Sequence, residues 1–162
     1  SLTIGLGSAL GTTSHMVINA TGAVTKPLQP SFQAIPSSIQ NNIASTDVVA
    51  FGTEVFDQNA DFASNTFTAP VTGKYQLNVT LRVDNLDVSA VYSRLFIKTS
   101  NRNYNSIFDV DGLSADPSFW TFTITALADM DAGDTAFVDW SQSGGASQAD
   151  IDGGSFSGYL VA

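Results

Sequence analysis

The chain has 162 residues, one domain's worth of protein and long enough to bury roughly 70% of the surface it exposes when unfolded. Cysteine is absent and His15 is the single histidine, which excludes disulfide frameworks, thiolate metal sites, cysteine nucleophiles and any site needing two imidazoles. Six Lys and Arg stand against fifteen acids, for a net charge of -9, so the clustered cations that a nucleic-acid backbone requires are missing.

From the start, Ser1 to Ser14 is small and polar, with Gly5, Gly7 and Gly11, and cannot build a core. Met16-Val17-Ile18-Asn19-Ala20 and Ala23-Val24-Thr25 flank Thr21-Gly22, the pattern of a small hairpin. Lys26-Pro27-Leu28-Gln29-Pro30 predicts a stiff extended connector, because each Pro fixes its own φ and biases its predecessor away from helix. Residues 1–30 are therefore expected to form a neck and residues 31–162 a head. Pro36 to Ile43 allows one short turn, and no window carries a sustained helical stripe.

Alternation then takes over. Tyr75, Leu77, Val79, Leu81 and Val83 share one face of a strand. Further strands are expected over Val91 to Lys98, Phe119 to Ala126, Thr135 to Ser141 and Ser155 to Val161. Pro70 to Gly73, Asp84 to Asp87, Asp111-Gly112, Asp131 to Asp134, Ser143 to Gly145 and Asp152 to Gly154 punctuate them as turns. The fold class is all-β, a sandwich or jelly roll.

The polar composition fits that class. Glu54 is the only glutamate, and charged residues make up 13% against roughly 25% in typical soluble domains. Aspartates in turns with Ser, Thr, Asn and Gln on strands give the profile of an extracellular or virion-surface β protein. No apolar run approaches the roughly 20 residues of a membrane helix, and no signal peptide is evident. The chain opens at Ser1 without Met, as an excised fragment or trimmed product would.

Ser31-Phe32-Gln33-Ala34 opens the head, Val48 to Phe51 follows, and Phe67-Thr68-Ala69-Pro70-Val71-Thr72-Gly73-Lys74-Tyr75 leads into the alternating strand. Ala132-Gly133-Asp134 precedes another strand, and Phe156-Ser157-Gly158-Tyr159-Leu160 closes the chain. In order and spacing these blocks resemble the C1q globular-head family of the tumour-necrosis-factor-like superfamily. Residues 15–32 are similar to segments that join bacteriophage fibre shafts to globular tips, and no collagen-like stalk is present. The resemblance implies a jelly-roll sandwich of about ten antiparallel strands that assembles as a homotrimer, with the last strand near the threefold axis. Phe67 and Tyr75 are expected as inward anchors about a turn that Pro70 starts and in which Gly73 supplies a free φ.

Candidate site residues follow. For the trimer interface they are Phe156, Gly158, Tyr159 and Trp120, with Phe156 and Leu160 on the face opposite Tyr159. Phe119 and Trp120 are strand neighbours, so one of them faces out. Tyr92, Tyr104 and Trp120 are candidates for ligand stacking. Asp109 and Asp111 could hold Ca²⁺, although Asp109-Val110-Asp111-Gly112 fails the EF-hand pattern. Turn formation is the alternative for these and every other Asp pair, and no catalytic set is found among them or around His15. The expected function is non-enzymatic. A trimeric head of a phage or virion fibre binds a host surface glycan or protein and contacts other virion proteins, without nucleic acid or membrane insertion. The alternative is a virion decoration or trimerisation cap with no receptor contact.

Overall fold

A computed structural model describes residues 2–4, 16–43 and 47–162; His15 lies outside them. Among the described residues there is no helix, hence none long and apolar enough to cross a membrane. Strands β1 (Leu2–Ile4), β2 (Met16–Ile18) and β3 (Val24–Thr25) form a small antiparallel sheet. The expected hairpin is present: Val17 pairs with Thr25, and the Gly22 N–H donates to the Asn19 carbonyl at 3.1 Å.

The next eleven strands run from β4 (Ser31–Ile35), β5 (Asp47–Val48), β6 (Thr53–Asp57), β7 (Phe62–Ala63) and β8 (Thr66–Thr68) to β9 (Gly73–Asp84), β10 (Tyr92–Thr99) and β11 (Asn103–Phe108). The chain then makes β12 (Phe119–Met130), β13 (Thr135–Ser143) and β14 (Asp150–Leu160). They form two antiparallel sheets. One has the order β12-β9-β14-β4-β6; the other has the order β11-β10-β13-β8-β7, with β5 also paired to β13.

Period two puts apolar residues between the sheets. Tyr75, Leu77, Leu81 and Val83 of β9 are wholly buried, as are Leu95 and Ile97 of β10 and Ala136, Val138 and Trp140 of β13. The aromatic centre is Phe32. Its ring stacks on Phe62 at 5.0 Å and Phe67 at 4.7 Å, and meets Phe156 edge-on at 4.9 Å. Gly158 lies opposite Phe32 in the β4–β14 ladder. A Cβ there would come within 2.8 Å of the Phe32 ring and 2.7 Å of Leu77.

Phe67 and Tyr75 are both buried, 5.4 Å apart, and the Tyr75 hydroxyl donates to the Val71 carbonyl at 2.7 Å. Gly73 acts differently from expectation. Its φ is not in the left-handed range; instead a Cβ would lie 2.6 Å from the Ala162 carbonyl, so glycine lets the chain's end lie against β9.

Two local expectations are corrected. The Lys26–Pro30 connector turns instead of extending, with the Gln29 N–H donating to the Lys26 carbonyl at 3.0 Å and Pro27 at the turn's second position. The Gln58 amide, which donates to the Lys26 and Gln29 carbonyls at 2.9 and 2.8 Å, holds it against the head. Asp152 to Gly154 is strand rather than turn, because β14 stays paired to β9 through a register shift between Ile151 and Gly153. β11 is a strand that the alternation did not single out.

The loops at the end remote from the connector are organised around Asp87, which is 3% exposed. Its carboxylate accepts the Ser89 N–H at 2.8 Å, the Ser89 hydroxyl at 2.6 Å, and bonds from the Ala146 N–H and the Gln142 amide. Burial alone would raise this carboxyl, but those donors outweigh it and hold it below the ordinary aspartate value. The stabilisation is therefore complete above pH ~4 and is lost as pH falls through the lowered native value. Thermal melts should place Asp87→Ala about 2 kcal/mol below the parent at neutral pH, with the gap closing in acid. Phe156→Ala should cost about 3–5 kcal/mol of chain stability by chemical denaturation, through loss of the ring that abuts Phe32.

Candidate functional site

The outer faces of the two sheets differ in chemistry. On the five-stranded sheet the rows are read across strands. Phe56, Gln33, Ser157, Asn78 and Thr125 form one row; Ser31, Tyr159, Gln76 and Leu127 form the next; Ser155, Thr80 and Thr123 form a third. No residue in these rows is charged, in a chain with net charge -9. Tyr159 is 49% exposed and Leu127 54%. Charges return at the ends, as Lys74 opposite Asp129 and as Arg82 paired with Asp84 at 2.7 Å and Asp152 at 3.1 Å, and on the edge strand β6, where Glu54 is exposed.

The other outer face is aromatic and cationic. Tyr92, Arg94, Phe96 and Lys98 alternate along β10, opposite in direction to the buried Leu95 and Ile97. The Arg94 guanidinium lies 4.7 Å from the Tyr92 ring centre and 5.3 Å from that of Phe96, and Lys98 Nζ is 5.1 Å from Phe96. Lys98 also pairs at 2.8 Å with Asp139, which is almost wholly buried.

Phe156 and Gly158, expected at the trimer interface, are corrected to core positions. Both face inward against Phe32, and only the Tyr159 side of β14 reaches the outer surface. Trp120 is half-buried. It shares the inward face with Phe122 and packs 4.6 Å from Phe108, so Phe119, 65% exposed beneath the Arg82 guanidinium, is the outward ring. Tyr104 is likewise packed against the core, across the ladder from Ile97. Tyr92, Tyr104 and Trp120 therefore do not share a surface; Tyr92 alone faces out.

Asp109 and Asp111 sit in the turn after β11, where Asp109 Oδ1 accepts the Asp111 N–H at 3.1 Å. Two other aspartates tie distant segments together. Asp116 accepts from the Val88 N–H at 2.9 Å and Gln148 at 2.8 Å, and Asp150 from the Asn42 N–H at 2.8 Å and Asn85 at 3.0 Å. Among the described residues no three acidic or imidazole side chains converge as a metal site would need.

Sequence reasoning missed a groove of about 630 Å³ between the connector and the chain's end, lined by Leu28, Pro30, Asp61, Val71 and Leu160 among others. Burial, reinforced by the neighbouring Asp57 charge, raises the Asp61 carboxyl above its ordinary value. The groove depends on the connector's turn, which the Pro-rich sequence concealed.

Comparison with known proteins agrees with this architecture. The fold is similar to the globular domain of zebrafish complement 1qA protein, with a TM-score of 0.65 and 19% identity over 83% of this chain and 98% of that one. It is also similar to murine APRIL, at a TM-score of 0.59 and 10% identity over 82% of this chain and 99% of that one. No curated protein sequence matches the chain. Residues 31–161 match the C1q domain model, beginning where β4 enters the sandwich. With so much of its length matched, and with a C1q and tumour-necrosis-factor-like jelly roll as its fold, the chain belongs to the C1q domain family.

Proposed function

We propose that this chain is a non-enzymatic trimeric head, carried by a phage or virion fibre, that binds a host surface molecule. Domains of this family commonly trimerise and are generally binding modules. The observation that carries the self-association is the set of three uncharged rows across the outer face of the five-stranded sheet. Three copies, each at -9, repel one another wherever acids meet, and those three rows are where close approach brings no like charges together. Tyr159 and Leu127 give the face its apolar contact, and hydroxyls and amides supply hydrogen bonds across it.

The fibre context is supported by the likeness of residues 15–32 to fibre-joining segments, and by the connector's ties to the head. The Gln29 amide donates to the Leu160 carbonyl at 2.6 Å and the Asn59 amide to the Leu28 carbonyl at 3.1 Å. A head so seated transmits load from neck to sandwich. The aspartates' work in turns supports a head that needs no resident metal.

Light scattering should give a mass about three times 17.0 kDa. Ser157→Asp sets three carboxylates, one per chain, in rows otherwise free of charge, and Tyr159→Ala removes the ring at their centre. Both variants should dissociate while circular dichroism stays β-rich, and trimers that withstand both substitutions would overturn this face as the contact. For the metal, melting temperatures in excess Ca²⁺ and in chelator should coincide, since a ligand specific to the native state would separate them.

A further inference from the structure

We propose that the outward ladder on β10 is a binding site for carboxylated saccharides, with Arg94 as the anion-binding group and the rings of Tyr92 and Phe96 as stacking platforms. The proposal rests on the reading of the head as a binding module and assigns it a place and a ligand chemistry.

Arg94 is the starting point. Acids outnumber cations by fifteen to six, yet among the described residues the ion pairs are those of Arg82 and Lys98, and Arg94 enters none. Its guanidinium is held between two rings, with Nε buried and without a hydrogen-bond partner. The two rings flank the group, and no hydrogen bond or ion pair among the described residues takes up its outer N–H donors, which suits two parallel bonds to a carboxylate. Three of the six cations, Arg94, Lys98 and Arg102, lie on β10 and the turn after it. The one acid facing outward beside them on β13, Asp139, is already joined to Lys98. In an otherwise acidic chain, this is the surface with charge complementary to an anion.

The neighbours favour a sugar over an acidic peptide. β10 is paired on both sides, to β11 and to β13, and the sheet's nearer open edge is β11, so a peptide strand added there would lie two strands from Arg94 and leave the rings unused. Recognition falls to side chains. In the ladder Arg94 is flanked by Ile107 and Ser141, and Phe96 by Asn105. Ile107 is 56% exposed. A pyranose acid presents an apolar C–H face to a ring, hydroxyls to Ser141 and Asn105, and a carboxylate to Arg94. Each group on the ladder thus has a counterpart.

Tetragalacturonate and 3′-sialyllactose are the probes, with methyl-esterified tetragalacturonate and lactose as their neutral counterparts, added to the intact chain. Calorimetry should show binding of the acids that weakens with salt, and amide NMR shifts should centre on Tyr92–Lys98 and Asn105–Ile107. Arg94→Gln should weaken binding about tenfold. Lys74→Gln, which removes the same charge from the other sheet, should leave it unchanged. Equal affinity for neutral and acidic sugars, or shifts that map elsewhere, would overturn the ladder site while leaving glycan binding intact. No binding of either acid would also overturn it. A glycan array blank for every sugar would remove glycan binding by the head as well. Shift mapping on the unsubstituted chain keeps the test sound if Arg94→Gln fails to fold.

Discussion

The two sheets of this head meet at one aromatic ring, and the rest of the molecule is arranged around keeping it there. Phe32 belongs to β4 in one sheet but stacks on Phe62 and Phe67 from the other, with Phe156 against its edge. The contact requires that the residue opposite it in the ladder have no side chain, and Gly158 meets that requirement. Because the apolar demand is satisfied between the sheets, the outer faces are free to diverge. One has become neutral and faintly apolar, the other aromatic and cationic. Assembly and recognition can then occupy opposite sides without competing for residues.

Much of this was legible because burial on one side of a sheet leaves a period of two in the chain. Tyr75 to Val83 shows it, and β9 lies where it predicts. Parity along Phe122, Ile124 and Ala126 would also have settled that Trp120 points inward and Phe119 outward; adjacency alone had left the choice open. β11 escaped because its outward positions include Asn103, Asn105 and the exposed Ile107, so polar and apolar residues do not separate cleanly by side.

The connector and the bulge were hidden for a different reason. Pro27 is as compatible with the second position of a turn as with an extended chain. The decision comes from Gln58 and Asn59, about thirty residues away in sequence, whose amides grip the connector's carbonyls. Asp152-Gly153-Gly154 has turn composition, but β9 offers a continuous row of partners and the strand runs on through an irregularity. Asp87, Asp116 and Asp150 explain the shortage of glutamate. Asp87 reaches the Ser89 N–H in its own loop, and all three short carboxylates accept a backbone N–H from a segment distant in sequence.

Both the connector and the chain's last residues lie at one pole of the sandwich, since the Leu160 N–H donates to the Pro30 carbonyl and the Lys74 N–H to that of Ala162. A pull on the connector that is resisted at the opposite pole runs along the strands. β4 is then loaded in shear against β14, with the paired positions from Ala34–Phe156 to Ser31–Tyr159 sharing the force at once. Opening them one at a time would need a sideways pull, and Gln58 and Asn59 hold the connector against that. The same geometry that lets Phe32 settle over Gly158 thus makes the junction mechanically stiff along its axis.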